Sequence, residues 1–230
     1  MYFDTDKLPK PEKTVTPPWN LKGNGYIFIY KFPREFVEKF GFLSDYQAES
    51  FDGFFGTVML VDYAESGVGP YRELLFVPGM FNLNNKKIYS ISKIYVSSYD
   101  SVWNGIENWG IPKELADFEV KKVNQDEEIF EVSNNRKTFF KVHLRKRNFY
   151  FPISTKFFPL KLAQKLRKDL LITNSPANGK ATLAKVIDIE VDSQFFPDIS
   201  LAKPLLVLAV KDFKMKFPIP KIIKNYFAQS

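Results

Sequence analysis

One lysine and one glutamate stand at corners of this chain where a buried functional pair could be assembled. Lys113 lies in Asn104-Gly-Ile-Glu-Asn-Trp-Gly-Ile-Pro-Lys-Glu-Leu-Ala-Asp-Phe118. Gly105, Gly110 and Pro112 constrain the backbone there, and Trp109, Ile111, Leu115 and Phe118 supply apolar walls. A lysine among such neighbours loses hydration, and a dehydrated amine is a nucleophile rather than a mere charge. Upstream, Gly67-Val-Gly-Pro-Tyr-Arg-Glu73 forms a turn that runs directly into Leu74-Leu-Phe-Val77. Glu73 therefore sits at the lip of a buried strand, either as a rim charge paired with a nearby Arg or Lys or as a carboxylate held in a pocket. If the two corners meet, they supply a nucleophile and its acid–base partner. The alternative for Lys113 is the ordinary one, a solvated surface lysine. Tyr71 and Trp109 either line such a pocket or simply fill the core.

Composition narrows the chemistry further. The chain has no cysteine and a single histidine, His143. Disulfides, thiolate metal sites and cysteine nucleophiles are thereby excluded, and the histidine supply is poor for a Ser-His-Asp triad or a zinc centre. Lysine, carboxylate and tyrosine chemistry remain. The lack of cysteine and of a basic-then-apolar leader fits a cytoplasmic protein. No apolar run reaches the roughly 18–20 residues that cross a bilayer, so no membrane association is expected. The net charge of +7 favours anionic partners at long range without amounting to a dedicated nucleic-acid arm.

The elements that would position these residues are mostly strands. A chain of 230 residues with 24 Phe and 11 Tyr suits one β-rich domain. Residues 1–24, rich in Pro and Lys, read as an extended N-terminal arm, and residues 25–230 as a single domain. Strands are predicted over 25–32, 57–63, 71–77, 87–97, 128–133, 137–147, 181–191 and 204–217. Leu205–Val210 is continuously apolar, which predicts burial on both faces. A short helix is expected from Pro33 to Phe40, another capped by Ser101 and ending near Gly105, and a third over Phe158–Leu171. The last rests on Leu160, Leu162, Ala163, Leu166 and Leu170 as its apolar stripe. The tail Lys221–Phe227 is expected to dock on the body.

The residues around the two corners also resemble a known family. Tyr71-Arg-Glu73, then Gly105-Ile-Glu107 leading into Pro112-Lys113, resembles the acetoacetate decarboxylases. These carry a Tyr-x-Glu, a Gly-Arg-Glu and a Pro-Lys-Lys whose first lysine forms the Schiff base. That family is itself a known instance of a lysine activated in this way. The resemblance is concentrated in Tyr71–Phe118. It implies a mostly β fold, a closed cone-like antiparallel β-barrel with a few peripheral helices, in a homo-oligomer. It implies Lys113 as the Schiff-base lysine and Glu73 as the catalytic carboxylate, with Tyr71, Glu107 and Trp109 in the substrate pocket. The substrate would be a β-keto acid or related carbonyl compound, and the reaction would need no organic cofactor or metal. The same iminium could serve an aldol or dehydration reaction.

Two positions depart from the family pattern. Glu114 replaces the second lysine, and Ile106 replaces the arginine. A carboxylate about 6 Å from Lys113, at an effective dielectric near 20, would hold the ammonium by about 2–3 kcal/mol and oppose its activation. The effect shrinks if Glu114 points to the opposite face. A second function therefore stands beside the enzyme: a non-catalytic small-molecule binder on the same barrel. A third, binding of nucleic acid or anionic lipid, would use the basic and aromatic stretch Lys137–Lys156. The clean alternation of Phe140, Val142 and Leu144 with Lys141, His143 and Arg145 instead describes a half-buried strand with a solvated basic face.

Overall fold

The computed structural model describes residues 5–156 and 161–228. Its first strands are β1 (Trp19–Tyr30), β2 (Phe51–Gly53), β3 (Gly56–Glu65), β4 (Tyr71–Val77), β5 (Met80–Leu83), β6 (Lys86–Tyr89), β7 (Lys93–Val96) and β8 (Lys113–Leu115). They are followed by β9 (Asp117–Lys122), β10 (Glu127–Asn134), β11 (Lys137–Lys146), β12 (Phe151–Ser154), β13 (Lys161–Leu166) and β14 (Asp169–Asn174). The chain ends with β15 (Ala177–Val191), β16 (Leu206–Phe217) and β17 (Lys221–Ile223). Three α-helices are described, α1 (Arg34–Phe40), α2 (Asp45–Ser50) and α3 (Tyr99–Trp109). The protein is mostly β, with few helices.

The strands form two sheets. The larger runs β8-β7-β4-β3-β1-β16-β15-β11-β10-β9, with β12 also on β15, and the smaller runs β17-β14-β13-β6-β5-β2. Pairings are antiparallel apart from β7–β8 and β6–β13. The larger order is an open path among the described residues. Its two ends, β8 and β9, are consecutive in the chain with Ala116 between them, and no ladder joins them. No described helix is long and apolar enough to cross a membrane.

Alternation divides the larger sheet into two faces. On one, Tyr26, Phe28, Tyr30, Leu60, Leu74 and Phe76 join the main core with Phe130, Phe140 and Phe196. The other carries Trp19, Leu21, Leu75, Val77 and Ile94, which meet α3 through Ile106 and Trp109.

Several expectations are corrected. Phe158–Leu171 is not a helix where it is described: Lys161–Leu166 and Asp169–Asn174 form the β13–β14 hairpin, and residues 158–160 lie outside the described part. Leu162, Ala163 and Gln164 are buried in succession, because the strand is covered on both faces. Leucines at that spacing cannot distinguish such a strand from an amphipathic helix. The helix expected to start at Ser101 and end near Gly105 is capped by Ser98 and runs to Trp109. Gly110, at φ +68°, ends it by donating its backbone N–H to the Gly105 and Ile106 carbonyls. The strand expected over 87–97 breaks into β6 and β7, which belong to different sheets. β1 begins at Trp19, inside the predicted arm. Leu205–Val210 is not buried on both faces: Leu205 is 61% and Leu206 37% exposed, whereas Val207 and Ala209 face the core. The tail does dock, as β17 on β14.

Candidate active site

The β3–β4 hairpin sets Tyr63 opposite Tyr71 and Val61 opposite Glu73. β7 pairs with β4 on its other edge, and β8 then runs parallel to β7 with Lys113 beside Ile94. Lys113 and Glu73 thus come from strands separated by one intervening strand and project from the same face. Lys113 Nζ lies 3.1 Å from Glu73 Oε2. Both residues are 4% exposed. The amine also donates to Ser101 Oγ at 2.9 Å and to the Tyr71 hydroxyl at 3.3 Å. Tyr63 donates to the other carboxylate oxygen, Oε1, at 3.2 Å. The Tyr63 and Tyr71 rings sit 4.6 Å apart, so the buried ion pair is held between two phenols and a serine.

α3 shapes the space for the lysine stem. Ser101 and Gly105, four residues apart, share the helix face turned toward it. A Cβ at Gly105 would stand 2.6 Å from Lys113 Cδ and 2.9 Å from Cε. Only hydrogen at this position leaves the stem its path.

A cavity of about 560 Å³ opens beside the pair, lined by Tyr63, Tyr71, Glu73 and Lys113 among mostly aliphatic and aromatic side chains. Trp109 also lines it; its indole N–H donates to the Pro218 carbonyl at 2.8 Å, and its ring meets Trp19 and Phe217 edge-on. Lys113, Glu73, Tyr71 and Trp109 are therefore brought together, whereas Glu107 is not. Glu107 faces Arg167 at 3.2 Å and also bonds Thr5, outside the cavity lining. It belongs to the joint that fastens the N-terminal arm to α3, where Asn104 also holds Lys13 and Val15. Tyr63 and Ser101 escaped the sequence reading. The signals for them were the hairpin partner of Tyr71 and the helix position one turn before Gly105.

Burial is the largest single influence on the Lys113 ammonium and pulls its pKa down. The oxygens of Tyr71 and Glu73 together outweigh it, so the net direction is upward from the ordinary lysine value. Burial raises the pKa of Tyr71 and pushes that of Tyr63 well above the usual phenol range. Both phenols are accordingly neutral near pH 7. Tyr71 then acts on the amine as a hydrogen-bond acceptor, and the opposing charge is that of Glu73. The amine is hidden as expected, but the groups around it favour the ammonium over the free base. Glu114 is not responsible. It projects from the opposite face of β8 and pairs with Lys93 at 2.5 Å.

A proton passed from Lys113 to Glu73 would neutralise both buried charges at once and leave a nucleophilic amine at the floor of an apolar cavity. Among the described residues no group of three or more His, Cys, Asp or Glu is arranged to hold a metal ion.

No protein-family model matches the chain, and no curated protein matches it by sequence. Solved structures do. Acetoacetate decarboxylase from Legionella pneumophila aligns at a TM-score of 0.72 and 15% identity, over 96% of this chain and 94% of that one. The fold is that of acetoacetate decarboxylase. An acetoacetate decarboxylase-like enzyme from Sphingomonas wittichii RW1 aligns at TM-score 0.66 and 8% identity, covering 95% of this chain and 98% of its own. The enduracididine biosynthesis enzyme MppR, complexed with pyruvate, aligns at 0.65 and 13% identity over 93% of each chain.

The basic strand that invited a nucleic-acid reading is internally compensated. On β11, His143 and Arg145 meet Glu127 at 2.9 and 2.7 Å, Lys141 meets Glu131 at 3.1 Å, and Lys146 meets Glu128 at 2.8 Å. The glutamates of β10 cover the positive charge that would contact phosphates. His143 sits in this surface network, away from the cavity.

Proposed function

We propose that the chain is a Schiff-base-forming lyase of the acetoacetate decarboxylase type, acting on a β-keto acid or a related carbonyl compound. The observation that carries this reading is the Lys113–Glu73 contact of 3.1 Å in the lining of a mostly apolar cavity. In the proposed sequence Glu73 takes the proton of Lys113, and the free amine adds to the ketone carbon. The carbonyl oxygen takes up protons and leaves as water, giving an iminium ion. The C–C bond to the carboxylate breaks, its electron pair flows into the iminium, and carbon dioxide departs. The resulting enamine is protonated at carbon, and water hydrolyses the new iminium to return the amine and a ketone. Tyr63 holds Glu73 by one oxygen so that the other faces the amine.

Incubation with a β-keto acid followed by borohydride reduction should leave a mass adduct on Lys113, absent from Lys113→Ala. The upward direction of the Lys113 pKa favours a second reading, a binder on the same fold that does not free its amine. Saturable ligand binding without any reducible adduct would select it. A closed cone, a homo-oligomer and a cytoplasmic setting belong to the first proposal. The oligomer would register as a mass above 26.7 kDa in light scattering.

A further inference from the structure

The lysine stands at one end of a row of side chains that crosses the larger sheet. Lys113 is beside Ile94, Ile94 opposite Leu75, and Leu75 opposite Met59. Met59 is opposite Ile27, Ile27 opposite Leu208, and Leu208 opposite Leu183. Every member beyond the lysine is aliphatic or thioether, and all seven line the same cavity. Four strand steps of about 4.8 Å separate Lys113 from Ile27, a span of roughly 19 Å. Burial falls along the way. Lys113, Ile94 and Leu75 are buried, Met59, Ile27 and Leu208 are half-buried, and Leu183 is 40% exposed.

The charge distribution is as one-sided as the burial. Lys113 and Glu73 are the charged side chains among the described lining residues. No arginine is among the described lining residues, and Ile106 is buried in the adjacent apolar cluster. Away from the polar edge formed by Ser154, Thr155 and Asn178, a second carboxylate, phosphate or amine on the ligand would therefore lie against hydrocarbon with no counter-charge, which is costly. The volume of about 560 Å³ is several times that of the smallest keto acids and falls within the range of sites for drug-sized ligands.

We infer that the carbonyl compound taken by this site carries a long, uncharged aliphatic chain, with the carbonyl at Lys113 and the chain laid along Ile94, Leu75, Met59 and Ile27 toward Leu208. The inference rests on the Schiff-base reading for the placement of the carbonyl. The apolar row itself is independent of that chemistry.

The test uses the full chain and a series of 2,4-alkanediones from 2,4-pentanedione upward. Each condenses with Lys113, losing water, to a conjugated enaminone that is stable enough to be measured directly by mass and absorbance, and the half-saturating concentration is recorded. It should fall about fourfold for each methylene added, until the row is filled. A half-saturating concentration that does not change with chain length overturns the inference, even though adducts form. Leu208→Glu, a half-buried position, should cut the long-to-short preference at least tenfold, and an unchanged preference likewise overturns it. If no dione forms an adduct at any length, the Schiff-base reading has failed, and the row is then tested by calorimetry with 2-alkanones. Tighter binding of the longer ketones upholds the apolar row, and equal or absent binding refutes it.

Discussion

Two lysine–glutamate pairs lie on opposite faces of β8, one reaching across to β7 and the other to β4. Lys93 meets Glu114 at 2.5 Å on one face, and one residue away Lys113 meets Glu73 at 3.1 Å on the other. The outer pair is partly exposed, with the Glu114 side chain at 33%, and the Lys93 ammonium lies over the rings of Phe42 and Tyr95. The inner pair is closed off from water and surrounded by hydrogen-bonding groups. The same two residue types thus form a partly buried structural contact on one face, with the Lys93 side chain at 12%, and a reactive-centre candidate on the other. The difference lies in hydration and in what else touches the nitrogen.

Substitutions can break this contrast, and the largest effect belongs to Lys113. Lys113→Ala should abolish the reducible adduct, lowering any turnover by at least about a thousandfold. It also strands Glu73, at a cost of roughly 3–5 kcal/mol in urea unfolding. Glu73→Gln should lower turnover about a hundredfold or more, since the proton loses its acceptor. It should also move the pH midpoint for adduct formation downward, because burial then acts on Lys113 without an opposing carboxylate. A midpoint that stays in place would mean Glu73 does not hold the proton.

Gly105→Ala should displace the Lys113 stem and cost about 10–100-fold in adduct formation, with far-UV circular dichroism unchanged. Glu114→Gln should do least. The pH midpoint of Lys113 should stay where it is, and stability should change by about 0–1 kcal/mol. A clear downward shift would show that Glu114 governs the amine after all.

Stability follows the sign of the lysine shift. With the folded pKa of Lys113 above the ordinary 10.5, the pair contributes fully below the unfolded value and its contribution is lost as pH rises through the folded one. Thermal melts should therefore show an alkaline loss in the wild type that Lys113→Met lacks, whereas Glu114→Gln retains it.

Much of the β architecture was legible along the chain, since alternation over 137–146 specifies a strand with one buried face, and the apolar run 74–77 specifies one covered on both. The helical reading of 158–171 failed where the chain is described because spacing carries no information about a second covering layer. Position Leu205–Val210 failed for the opposite reason. A run of apolar residues signals burial on both faces, yet here one face borders a cavity and keeps Leu206 partly in solvent. Glu107 looked like a pocket residue from its place in a motif, but a helix turn carries it to the arm and Arg167.

The amino-acid order by itself determined which groups can do chemistry. Without cysteine and with one histidine, a lysine and a glutamate at two Gly/Pro corners were left as the candidate pair. It also determined which faces of the strands are greasy. Only the tertiary structure decided that Lys113 and Glu73 touch, because their contact is set by the β4–β7–β8 register across forty residues of chain. It decided as well that Glu114 turns away and that Ser101 and Tyr63 complete the site. Hydration and electrostatic partners depend on distances in space, and neighbours in sequence need not be neighbours across a sheet.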